Sequence, residues 1–130
     1  MIKFTVETQN HSRMLDITAK IRDYLHKENF QDGAAVIFCP HTTCGVTINE
    51  HADPDVAQDM LYILDTVYPW TGNYNHDEGN SAAHMKASMM GSSVTVIVEN
   101  GDMQLGAWQG IFLCEFDGPR TRQVWIKTLG

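Results

Sequence analysis

The last third of the chain constrains the fold more than any other part. Between Ser93 and Leu129 the sequence is a series of strand-like stretches with turn residues between them and no room for a helix. Ser93–Val98 is followed by Asn100-Gly101, a pair suited to the left-handed conformations of a two-residue hairpin turn. Met103–Leu105 and Trp108–Phe116 come next, then a turn at Asp117-Gly118-Pro119, then Thr121–Leu129. Consecutive strands joined this tightly pair antiparallel, because a parallel crossover needs about a dozen residues or more.

Earlier segments add helices to this framework. Ile2, Phe4 and Val6 alternate with Lys3, Thr5 and Glu7, the period of a strand with one buried face. Thr18 is the expected N-cap of a surface helix bearing Ile21, Tyr24, Leu25 and Glu28, and Ala34–Cys39 and Val46–Ile48 read as buried strands. Asp53-Pro54 opens a helix, since Asp accepts free amide hydrogens and proline has none to lose; Val56, Met60, Ile63, Leu64 and Val67 share its expected apolar face. A polar loop from Tyr68 to Asn80 leads into a short helix at Ser81. That helix carries Ala82, Met85 and Met89 on one face and His84, Ala87, Ser88 and Gly91 on the other, the second small enough for a backbone or ligand to approach closely. The order of elements predicts an α+β fold with an antiparallel sheet system, in one domain over residues 1–130.

A chain of 130 residues buries roughly two thirds of its unfolded surface, so it needs no disulfide or metal staple. Sixteen acidic against nine basic residues give a formal charge of -7, which argues against a nucleic-acid binder built on a basic surface. The longest apolar run, Ala34–Cys39, falls far short of the roughly 20 residues of a membrane span. No secretory hydrophobic region follows Met1, and Cys39, Cys44 and Cys114 form no CxxC, so reduced buried thiols in a soluble cytoplasmic protein with no membrane partner are expected. From Glu28 to Pro119 the only basic residue is Lys86, an isolation that suggests placed cations.

Polar residues cluster in three stretches. His41-Thr42-Thr43 and Asn49, Glu50 and Asp53 bracket the Val46–Ile48 strand, and strand ends are where sites are commonly built. His76-Asp77-Glu78-Gly79-Asn80 lies in the long loop, with His84 following. His41, His76 and His84 could make a three-imidazole site for a divalent metal with one position open, although no HExxH, CxxC or HxxxH motif occurs; hydrogen-bonded structural histidines are the other reading. After the Asp117-Gly118-Pro119 turn, an extended chain puts Arg120 and Arg122 on one face, where two guanidinium forks suit a phosphate or pyrophosphate. Ion pairs with Glu115 and Asp117 are the alternative. Trp108 is expected in the core, and His11, His26 and His51 fall outside the expected site.

Pro40-His41-Thr42-Thr43, Thr47–Glu50, Asp53–Val56, His76–Asn80, Ala83–Ala87, Gly106–Ile111 and Glu115–Arg122 together resemble, in order and over nearly the whole chain, the YjbQ family of uncharacterised proteins, UPF0047. The chain departs from the family pattern at Cys44, where a small residue is usual, and at Ala107, where Thr often stands. The resemblance implies an antiparallel β-sandwich with packed helices, a homotrimer, and a thiamine-phosphate synthase activity. Such an enzyme expels pyrophosphate from a hydroxymethylpyrimidine pyrophosphate and traps the cation with the nitrogen of a thiazole phosphate.

Carried over by position, His41, Glu50, Asp53 and His84 are the expected catalytic residues, and Thr42, Asn49, Lys86, Arg120 and Arg122 the residues that hold the phosphorylated substrate. A divalent metal, zinc or magnesium, is expected on His41, His76 and His84. The same residues also suit a zinc-dependent hydrolase of a phosphorylated metabolite, or a non-enzymatic trimer that binds a metal or anion.

Overall fold

Two antiparallel sheets account for most of the chain. The computed structural model describes residues 1–130, ordered as β1 (Ile2–Glu7), β2 (Arg13–Asp16), α1 (Thr18–Lys27), β3 (Gly33–Phe38), β4 (Cys44–Glu50), α2 (Pro54–Val67), α3 (Ser81–Met90), β5 (Ser93–Glu99), β6 (Asp102–Met103), β7 (Gln109–Glu115) and β8 (Thr121–Leu129). The larger sheet runs β1-β8-β3-β5-β6 and the smaller β2-β7-β4. This is the expected α+β architecture, and no helix is long and apolar enough to cross a membrane.

Side-chain alternation explains the layers. Phe4, Ala35, Ile37, Val96, Val98, Val124 and Ile126 of the larger sheet meet Cys44, Val46, Ile111 and Leu113 of the smaller one, and Ile17, Ile21 and Leu25 join the same core of 16 residues. The opposite face of β7 carries Phe112 and Cys114, which with Met14, Phe116, Ala83 and Ala87 form a second core under α2 and α3. β7 is thus buried on both faces, the condition that makes a strand apolar throughout. All three cysteines are free and buried, and burial pushes the Cys114 thiol up to about 12.

Several local expectations hold, with their causes visible. Asp53 caps α2 through its Oδ1, which accepts the Asp55 amide at 2.9 Å, and Pro54 stands in the first turn. Asn100 and Gly101, with φ of 52° and 77°, make the β5–β6 hairpin turn. At α1, Thr18 begins the helix rather than capping it: Asp16 Oδ1 accepts from the Thr18 amide at 3.0 Å and from its hydroxyl at 2.6 Å.

Two apolar expectations fail. Ile63 and Val67 of α2 are 56% and 58% exposed, whereas Met60 and Leu64 of the expected face do pack inward, with Ala57 and Leu61 beside them. On α3, by contrast, the face read as small does receive a neighbouring backbone, while Met85 and Met89 stay exposed. The reason is close approach: a Cβ at Gly45 on β4 would lie 2.8 Å from Met90 Cβ and 2.9 Å from the Gly91 carbonyl, so the helix must present small side chains there. Trp108, expected in the core, is 66% exposed in the turn before β7.

Candidate functional site

The site grows from a buried ion pair at one end of the sandwich. On β8, Arg122 has the same parity as Val124 and Ile126, whose side chains enter the core, so Arg122 also points inward and is only 4% exposed. Opposite it, Glu115 has the parity of Ile111 and Leu113 and is 0% exposed. Arg122 Nε donates to Glu115 Oε1 at 2.8 Å, and Nη2 donates to Glu115 Oε2 and to Thr43 Oγ1, the latter at 2.9 Å. Thr8 Oγ1 and the Asp117 amide add donors to the carboxylate at 2.7 and 3.0 Å. Burial disfavours the ionised carboxyl, but these donors outweigh it and hold Glu115 below the usual glutamate range.

The Pro40–Thr43 loop lies beside this pair, because Cys44 at its end pairs with Glu115. The His41 Nε2 accepts the Gln123 amide at 2.9 Å. Its ring proton therefore sits on Nδ1, and neutral His41 is a fixed donor at that atom. Burial first, then the charge of Arg122, lowers its pKa below the usual histidine value and keeps it neutral.

A hollow of about 460 Å³ opens here, lined mainly by polar side chains, among them His41, Thr42, His76, Glu78, His84, Asp117, Arg120 and Arg122, with Pro40 the apolar member. A second hollow of about 480 Å³ shares His41, Thr42 and His84 with the first and extends over Ala87, Ser88 and Gly91, the small face read from the sequence. Arg122 Nη1 has no partner in the chain, yet it is not a sealed orphan, so it opens on the first hollow. Arg120 is half exposed; its Nε donates to the Asp117 carbonyl at 2.8 Å and its Nη2 to Asp117 Oδ2 at 3.1 Å, which leaves Nη1 free. At the N-terminus of α3, the Asn80 side chain makes no capping bond, and the amides of Ser81 and Ala82 have no partner in the chain. Asn80 Nδ2 instead donates to Asp117 Oδ2 at 2.9 Å, and its Oδ1 is buried unpaired, a cost of about 1–3 kcal/mol.

Both arginines therefore sit in ion pairs with the carboxylates named as alternatives, Glu115 and Asp117, and reach the hollow through their remaining N–H groups. The expected two-pronged strand face does not form, because Arg120 precedes β8 and Arg122 faces the core. Asn49, Glu50 and Asp53 do not join the histidines either. Glu50 pairs with Gln109 at the far end of the seven-residue β4, about 20 Å from the Cys44 end. Glu50 and Asp53 border another hollow, of about 670 Å³, with Asp16 and His51. His51, set aside on sequence grounds, is held there by a 2.9 Å hydrogen bond to Asp16 and by Gly110, where a Cβ would lie 2.3 Å from its ring. Lys86 also stands apart, paired with Asp65.

The expected three-imidazole metal site does not fit this arrangement. His41 has one ring nitrogen engaged as an acceptor and the other protonated, so it has no lone pair left for a metal. His76 and His84 do face each other, ring centroids 5.5 Å apart, but no three His, Cys, Asp or Glu side chains group closely enough to hold an ion. Thr43, Glu115 and Asp117 are the polar residues that reading the motifs undervalued. Their signal was parity with buried apolar neighbours for Glu115 and nearness in sequence to Arg120 for Asp117; Thr43, distant in sequence from both arginines, carries none.

Comparison with known proteins agrees with the fold. Residues 2–130 match the family described as UPF0047 protein YjbQ-like. UPF0047 protein YugU of Bacillus subtilis is 55% identical over 126 residues, which cover 96% of each chain. A UPF0047 protein of Methanocaldococcus jannaschii is 45% identical over 130 residues, covering all of this chain and 94% of that one. A solved structure of an uncharacterised YjbQ/UPF0047 protein from Clostridium acetobutylicum superposes with a TM-score of 0.97 at 52% identity, covering 99% of this chain and 100% of the other. By motif order, sequence identity over the full length and fold, the chain belongs to the YjbQ/UPF0047 family.

Proposed function

We propose that the chain is an enzyme acting on a phosphorylated small molecule, whose phosphate end lies among His41, Arg120 and Arg122 and whose body extends over Ala87, Ser88 and Gly91. The carrying observation is the convergence of unused donors on one mainly polar hollow: His41 Nδ1–H, Arg122 Nη1 and Arg120 Nη1, with the uncapped start of α3 beside them. Donors fixed before the ligand arrives stabilise developing negative charge without reorganisation. A helix N-terminus adds to that attraction.

The reaction favoured by family resemblance is transfer of the thiamine-phosphate synthase type. The C–O bond to pyrophosphate breaks with its electron pair leaving on oxygen, the thiazole nitrogen attacks the pyrimidine methylene cation, and the donors hold the departing pyrophosphate. No covalent nucleophile enters these steps. His84 and Thr42 border both hollows, which suits them to holding the two reactants against each other.

The test supplies both substrates to purified protein and follows thiamine phosphate by chromatography. Equal formation of product and pyrophosphate is expected. Pyrophosphate release from the pyrimidine substrate alone would favour a hydrolase, and binding without turnover a sensor or accessory role.

We also propose a cytoplasmic homotrimer. No residue of α2 is buried, and Ile63 and Val67 on α2 and Met89 on α3 are exposed apolar side chains that a subunit contact would cover. Light scattering should give three times the 14.6 kDa chain mass, and a monomer mass across a wide concentration range would contradict it.

A further inference from the structure

Lys86 is the second cation buried in this acidic chain, and it lies outside the hollow just described. Two residues beyond His84 on α3, it turns to a different side of the helix, and its side chain is 4% exposed. It lines a separate hollow of about 360 Å³ with His11, Ser12, Leu61, Tyr62, Asp65 and Phe116. Its Nζ donates to Asp65 Oδ1 at 3.1 Å and to nothing else in the chain. An ammonium has three N–H donors, so two remain unused. Buried donors without acceptors are costly, and a lysine solvated along its hollow would normally extend further into water.

The two partners are unequal. The Asp65 side chain is 69% exposed, so it loses little by turning away into water, whereas the ammonium has no such freedom. An incoming oxyanion could use the two free donors, or displace Asp65 from the third. The walls suit the rest of a ligand: Leu61, Tyr62 and Phe116 offer apolar and aromatic surface. Ser12 Oγ stands 3.1 Å from His11 Nδ1, and the His11 ring packs edge-on against Trp70 at 4.4 Å, which fixes the rim.

We propose that the Lys86 ammonium is a second binding site of this protein, taking the carboxylate or phosphate end of a small ligand whose body rests on Leu61, Tyr62 and Phe116. The site shares no lining residue with the His41 hollow and stands whether or not the transferase reading does.

Amide spectra of isotope-labelled protein, titrated at constant ionic strength with acetate, inorganic phosphate or chloride, test it. Saturable shifts at Ser12, Leu61 and Lys86 are expected with acetate or phosphate and not with chloride; the tighter of the two names the ligand class. Asp65→Asn removes the competing carboxylate and should tighten binding about fivefold, the scale of an exposed ion pair. Lys86→Met keeps the apolar stem, leaves only an exposed carboxylate unpaired and so should fold, with a melting temperature that verifies it, yet bind neither anion. Arg120→Ala should leave these shifts unchanged. Absence of saturable shifts in both wild type and Asp65→Asn, or equal binding by Lys86→Met, would reduce Lys86 to a structural ion pair and overturn the proposal.

Discussion

Arg122→Met should cost about 3–5 kcal/mol of folding stability, the range for removing one partner of a buried ion pair. The loss would come mainly from Glu115, which would stay fully buried with only the Thr8 hydroxyl and the Asp117 amide as donors. Urea denaturation measures it. Glu115→Gln in the same chain removes the stranded charge, so the double variant should recover much of the stability. A single-variant loss below about 1 kcal/mol, the worth of an exposed pair, would mean that water reaches this end of the sandwich.

Acid should weaken the fold in the same direction. Glu115 titrates lower in the folded chain than its ordinary 4.5, so the unfolded state takes up its proton first. Its contribution is complete above the ordinary value and is lost as pH falls toward the folded one. His41, held below its ordinary 6.5, behaves alike at higher pH: stability present above 6.5 declines as pH drops through its folded value. Stability followed from pH 8 to pH 3 should therefore decline in two stages, and Glu115→Gln should shrink the lower one. The part that remains comes from Asp16, whose burial is outweighed by hydrogen bonds to Thr18 and His51 that also hold it below its ordinary value.

Arg120→Ala carries the second large effect, on binding instead of folding. Its side chain is half exposed and its hydrogen bonds to Asp117 are local, so the variant should fold normally. Pyrophosphate affinity should fall by about 1.5–3 kcal/mol, the worth of a hydrogen bond to a charged group. Arg120→Lys keeps the charge but loses the fork and should fall between the two. Calorimetry at fixed salt decides: unchanged affinity in Arg120→Ala would make this arginine a surface charge.

The sequence made the strands and turns legible because their periods and turn residues are local properties. Asn100-Gly101 and Asp53-Pro54 act within a few residues of themselves, and both behave as expected. What failed depended on partners distant in sequence. Nothing within α2 says that Ile63 and Val67 will face outward, and β2, four residues on a sheet edge, is too short to show a period. The site was legible in part: His41, Thr42, His76, His84, Arg120 and Arg122 do line one hollow. Glu50 and Asp53 fall away from His41 for a reason visible in the sequence, since groups that bracket a strand lie at its opposite ends. The Arg122 orientation could also have been read, from its parity with Val124 and Ile126.

A crystal structure of the protein soaked with pyrophosphate tests the central claim most directly. The account predicts phosphate oxygens about 3 Å from His41 Nδ1 and from the free nitrogens of Arg120 and Arg122, beside the start of α3. Pyrophosphate found only at Lys86, or a His41 hollow that stays unoccupied at saturating concentration, would contradict it.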